Sequence, residues 1–204
     1  MSRRHLIISG TGRAGTTFLV QLMTELGMDT GFADTRSGVF SNCDAGMERD
    51  IRDPDCPYVV KSPRLCHDLD AVLRDRSVVV DHAIVPIRNL YAAAESRRNV
   101  TLRSGTSFGS GEVPGGLWLT SRPDQQEFVL AVQFHQLMLT ITAFEIPITM
   151  LQFPRLIKDP NYLWEKLAPL LDGIGPEHFA AAFRRVVRPE LIHNFGEVDQ
   201  PITP

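Results

Sequence analysis

The chain has no run approaching the roughly 18 apolar residues of a membrane-spanning helix. Its opening, Met1-Ser2-Arg3-Arg4-His5, leads into an apolar stretch of about five residues, shorter than the core of a secretory signal. A soluble, cytoplasmic protein with no membrane association is the expectation. Cysteine is scarce: Cys43, Cys56 and Cys66 form an odd set without C-x-x-C spacing. Reduced thiols fit that set better than a disulfide framework or a zinc site. Positive charge is not in excess either, since 21 Lys and Arg against 24 Asp and Glu give a net charge of −3, so no general nucleic-acid binder is expected. Asp44, Glu48 and Asp50 lack the alternating ligands and central glycine of a calcium loop.

What is present suits one globular domain. With 204 residues, 43% of them hydrophobic, the chain is long enough to bury a substantial core; residues 1–195 read as one domain and 196–204 as a flexible tail. Short apolar runs predict strands over His5–Ser9, Tyr58–Lys61, His82–Ile87 and Pro147–Phe153. Helices are predicted over Thr16–Leu26, Arg64–Arg74, Leu90–Arg98, Pro123–Phe144, Pro160–Leu171 and Pro176–Val187. Phe134, Leu137, Met138 and Ile141 have helical spacing and read as core. Such alternation implies an α/β fold, a parallel sheet covered by helices on both faces. The polar stretch 28–57 and the Gly/Ser-rich stretch 100–122 interrupt it as long loops. Phe108 and Trp118 in the second are candidates to close over a ligand or simply to pack.

Between the first strand and the first helix stands Gly10-Thr11-Gly12-Arg13-Ala14-Gly15-Thr16-Thr17. A strand, a glycine turn and a helix in that order cradle an anion, because the free N–H groups of the helix start face it. The nucleotide triphosphatase form of this loop has a lysine after its last glycine. Here that place holds Thr16, and the cation comes earlier, at Arg13. Ligands in open parallel sheets bind beyond the carboxyl ends of the strands, and those ends deliver Arg13, then Lys61 with Arg64, then Arg88. None delivers the Asp with which phosphotransferases hold magnesium. Ser96 follows Arg88 by eight residues, about two helical turns, and the two could clamp a second phosphate. The alternative is that Ser96, Arg97 and the later arginines cover an exposed helix face.

These residues resemble the sulfotransferases that use 3′-phosphoadenosine-5′-phosphosulfate (PAPS), with some likeness to tyrosylprotein and bacterial members. Arg13-Ala14-Gly15-Thr16-Thr17 matches the family loop [RK]-x-G-T-[ST], and Arg88 with Ser96 matches its strand-end arginine and later serine. Leu151–Leu156 followed by Asp159-Pro160 is a weaker likeness to a late R-Y-E-D-L…D-P trait, without the Tyr-Glu-Asp core. The resemblance runs from about residue 4 to residue 172. It implies a P-loop three-layer sandwich that transfers a sulfuryl group from PAPS to a hydroxyl or amine on a small-molecule or peptide acceptor. Adenosine 3′,5′-bisphosphate would be released, and no metal is required. Gly12, Arg13, Ala14, Gly15, Thr16 and Thr17 would hold the 5′-phosphosulfate, Arg88 and Ser96 the 3′-phosphate, and Lys61 the transferring or bridging oxygens.

For the base, the histidine that cytosolic members carry two residues after the lysine is replaced by Pro63. Asp34-Thr35-Arg36 looks like the E-T-R triplet of tyrosylprotein sulfotransferases, making Asp34 the expected base and Arg36 its helper, with His67 second. The basic glycine-containing loop that ends cytosolic members has no counterpart after Arg185. The competing expectations are a metal-assisted small-molecule or nucleotide kinase and a non-catalytic nucleotide-binding module.

Overall fold

In the computed structural model, residues 2–41, 43–105, 113–193 and 195 are described. Phe108 and the stretch 196–204 predicted as a tail lie outside them. In chain order the elements are β1 (Arg3–Ile8), α1 (Thr16–Glu25), β2 (Val39–Phe40), β3 (Ala45–Gly46), β4 (Val59–Lys61), α2 (Leu65–Arg74), β5 (Val78–Ile87), α3 (Leu90–Arg103), α4 (Gln126–Ala143), β6 (Ile148–Gln152), α5 (Arg155–Lys158), α6 (Pro160–Leu167) and α7 (Pro176–Val186).

β1 is apolar without alternation because both of its faces are covered. Leu6, Ile8, Ile84 and Leu151 share a core with α1, α6 and α7, whereas Ile7, Val60, Ala83 and Val85 share the other with α2 and α4. Odd and even strand positions thus feed opposite layers. The sheet order is β4-β1-β5-β6 with every pairing parallel, a three-layer α/β sandwich whose strands all point their carboxyl ends to one rim. Among the described residues no helix is long and apolar enough to cross a membrane.

The differences from expectation have local causes. β5 starts at Val78, because Arg3 and Arg4 on β1 pair with Val78 and Val79 and extend the ladder. α3 begins with Asn89 accepting from the Ala92 amide at 3.2 Å and runs on to Arg103, ending just before Gly105. α6 stops at Leu167, where Pro169 removes an amide and the chain tightens into a 3₁₀ turn. The antiparallel pair β2–β3 and the short α5 were not expected; β2–β3 folds part of the 28–57 stretch back against the glycine loop, so that Thr17 Oγ1 donates to the Gly46 carbonyl at 3.4 Å.

Candidate functional site

After β1 the backbone turns left-handed at Gly12 and Arg13, with φ 71° and 57°. Only glycine fits at the first: a Cβ there would lie 2.6 Å from Arg97 Nη2. α1 then starts from Gly15, and no side chain among the described residues caps its first turn, nor is any residue of that turn acidic. Its orphan amides and positive dipole end therefore remain available to an anion.

Cations converge on this turn from three elements. Arg13 Nε donates to Ser96 Oγ at 3.0 Å and its Nη1 to the Cys43 carbonyl at 3.0 Å. Arg88, at the end of β5, donates Nη1 to the Arg13 carbonyl at 3.0 Å and Nη2 to the His193 carbonyl at 2.7 Å, with Phe153 and Phe195 4.7 and 5.3 Å from its guanidinium. Lys61, at the end of β4, donates Nζ to the Gly46 carbonyl at 2.9 Å and to Glu48 Oε1 at 3.0 Å. Arg97, on α3, reaches beneath the glycine turn, giving Nη2 to the Thr11 carbonyl at 2.7 Å and Nη1 to the Gly116 carbonyl at 2.8 Å.

Burial is the largest influence on the charge state of three of these groups. It lowers Arg13 and Lys61 from their ordinary values, and Glu48 pulls Lys61 part of the way back. It brings Arg97 down to about 10, helped by repulsion from Arg13. At about 10, Arg97 stays cationic at neutral pH, and neither Arg13 nor Arg97 has a carboxylate partner among the described residues. Buried charge without a counter-ion is costly, and an anion bound here would offset that cost.

One cavity of about 1090 Å³ joins these groups. Gly12, Arg13, Gly15, Thr16, Thr17, Arg36, Lys61, Arg88 and Ser96 border it; Ala14 and Asp34 are not among the described residues that do. Ala14 is fully buried behind the turn. Asp34 is exposed, and its Oδ1 accepts the amides of Arg36 at 2.7 Å and Ser37 at 2.8 Å, which hold the carboxyl below its usual range. It shapes the turn that presents Arg36. The hydroxyl of Ser96 is engaged by Arg13 rather than by Arg88. Asp44, Glu48 and Asp50 do not assemble as a metal centre, for among the described residues no three His, Cys, Asp or Glu side chains come together to hold an ion.

Sequence reasoning gave Arg97 and Glu48 no binding or catalytic role, and it left open whether Ser96 lies on an exposed face. Ser96 and Arg97 do not cover an exposed face: they are 2% and 6% accessible. The signal was available, since Ala93, Ser96, Arg97, Val100 and Thr101 follow helical spacing and are all buried, a stripe whose polar members point inward. Glu48 had no comparable signal, because its ion pair with Lys61 joins residues 13 positions apart across a loop. His67 and Trp118 also border the cavity, with ring centroids 6.0 Å apart. No protein-family model matches the chain, and no curated protein matches it.

Proposed function

We propose that the protein is a sulfotransferase of the P-loop kind, transferring a sulfuryl group from PAPS to a hydroxyl or amine. The observation that carries this reading is the hydrogen bond from Arg88 to the Arg13 carbonyl, which ties the strand-end guanidinium to the glycine turn. Two anion sites thereby become one rigid unit. A triphosphatase would need its lysine at position 16 and a strand-end carboxylate for magnesium; the chain offers Thr16, Lys61 and Arg88 instead.

The residues fit the donor. The uncapped start of α1, the hydroxyls of Thr16 and Thr17, and the Arg13 and Lys61 cations suit a phosphosulfate, and Arg88 suits a second phosphate. PAPS supplies, when bound, an activated sulfuryl group on a phosphate leaving group. Lys61 and Arg13 stabilise negative charge that grows on the leaving oxygen, and they act most strongly in the transition state because they are fixed and desolvated. Glu48 takes the acceptor proton: it borders the cavity, Lys61 orients it through Oε1, and Oε2 remains to accept. Asp34, the base expected from its triplet, supports Arg36. Three unpaired cysteines, two of them with thiols pushed up to about 11 by burial, support a reducing, cytoplasmic setting.

The test is calorimetric titration with adenosine 3′,5′-bisphosphate and with ATP in the presence of magnesium. Tighter binding of the bisphosphate is the expected result. A preference for magnesium-ATP would favour the kinase reading and sink this one. Bisphosphate binding without transfer to any acceptor would leave a nucleotide-binding module.

A further inference from the structure

On the sulfotransferase reading, the donor's anionic groups engage Arg13, Lys61 and Arg88, and Arg64 and Arg97 are among the further arginines that border the same cavity. Arg97 is 6% accessible, spends Nη1 and Nη2 on carbonyl oxygens, and has no acceptor for Nε among the described residues. Arg64, the residue before α2, makes hydrogen bonds only through its backbone among the described residues, its amide donating to Ser62 Oγ at 3.3 Å and its carbonyl accepting the His67 and Asp68 amides at 3.0 Å each, so its exposed side chain is without a described partner. Two neighbouring carboxylates have cationic partners of their own: Asp68 pairs with Arg52 at 3.1 Å, and Glu48 pairs through Oε1 with Lys61 at 3.0 Å.

The indole of Trp118 lies beside Arg97 and near α2, the helix that Arg64 precedes. Its ring centroid lies 5.2 Å from the Arg97 guanidinium carbon and 6.0 Å from the His67 ring. His67 follows Arg64 by three positions and so shares its side of α2. The indole is held rather than loosely placed, because the Trp118 amide donates to Gln126 Oε1 at 2.7 Å and the Leu117 amide to Thr101 Oγ1 at 2.9 Å. This wall offers an aromatic surface flanked by cations, with Asp68 paired to Arg52 and Glu48 held by Lys61.

We infer that this wall is the acceptor subsite, and that the acceptor is an aromatic hydroxyl compound bearing a carboxylate or phosphate, its anionic group held by Arg64 and Arg97 and its ring against Trp118. A neutral analogue leaves the buried guanidinium without a counter-ion, and a cationic one is repelled, so selection arises from both attraction and exclusion.

The experiment measures binding and needs no turnover. The full chain is saturated with adenosine 3′,5′-bisphosphate and titrated with 4-hydroxyphenylacetate, 4-hydroxyphenyl phosphate, the methyl ester of 4-hydroxyphenylacetate and tyramine. At least one of the two anions binds about ten- to a hundredfold tighter than the ester and tyramine, and the better anion identifies the group recognised. Ester or tyramine binding as tightly as both anions overturns the inference while the donor reading stands. Failure of the bisphosphate to bind removes the donor reading and this inference with it. In Arg64→Ala the ratio of anion to ester affinity falls toward one, and a ratio equal to that of the unmodified protein overturns the assignment. Arg97→Met gives the same fall, read only where its melting temperature and bisphosphate affinity show an intact glycine turn; Arg64, exposed and outside the core, carries the test by itself.

Discussion

Arg13 Nε donates to Ser96 Oγ at 3.0 Å, joining residues 83 positions apart. The bond orients the one cation that the glycine turn itself supplies, so on the proposed reading Ser96 acts on the 5′ end of the nucleotide through Arg13. Ser96→Ala then weakens adenosine 3′,5′-bisphosphate and adenosine 5′-monophosphate by the same factor, about fivefold for one neutral-acceptor hydrogen bond. A loss confined to the bisphosphate, measured by calorimetry, would instead assign the hydroxyl to the 3′-phosphate.

Glu48 and Asp34 separate by substitution. Glu48→Gln keeps the shape beside Lys61 and removes the proton acceptor, so sulfuryl transfer falls by about two to four powers of ten while bisphosphate affinity changes far less. Asp34→Asn retains an oxygen for the Arg36 and Ser37 amides and leaves turnover near that of the unmodified protein. Single-turnover rates decide the matter, and a deeper loss in Asp34→Asn would return the base role to that residue.

Burial lowers Lys61 from its ordinary value of 10.5. The protonated amine is the form that binds an anion, so affinity for the bisphosphate is greatest below the lowered value. It is lost as pH rises through the lowered value, before an ordinary lysine would titrate. Lys61→Met binds more weakly at neutral pH and loses this alkaline fall. A titration series from neutral to alkaline pH that shows the same profile in both proteins would remove Lys61 from the anion site.

Gly12 is held at φ 71°, with Arg97 Nη2 2.6 Å from where a Cβ would stand. Gly12→Ala forces a left-handed alanine at about 1–2 kcal/mol before any clash, lowering the melting temperature by roughly 2–8 °C for a domain of this size. Nucleotide binding weakens with it, because the Arg97 side chain must withdraw from the Thr11 carbonyl. Scanning calorimetry checks the first effect, and an unshifted transition would show the turn to be looser than drawn.

The parts of the fold legible in the residues are those whose cause is local. β1, the glycine turn and α1 follow from an apolar run, three glycines and a helical stripe within 25 residues; the end of α6 follows from Pro169. Lys61 and Arg88 were legible as strand-end cations because direction and position along a parallel strand decide which rim a residue reaches. The β2–β3 pair was not legible, since two-residue strands carry no measurable period and form only where the 28–57 stretch meets the glycine turn.

By itself, then, the sequence determined an α/β sandwich with a rim of positive charge at the carboxyl ends of its strands, because hydrophobic period and glycine placement act over a few residues. Only the tertiary structure decided which charges are partnered. It set Glu48 against Lys61, Ser96 against Arg13, and Arg97 under the turn without a carboxylate partner among the described residues. Electrostatic energy depends on distance through the folded molecule and on burial, and neither can be read from separation along the chain.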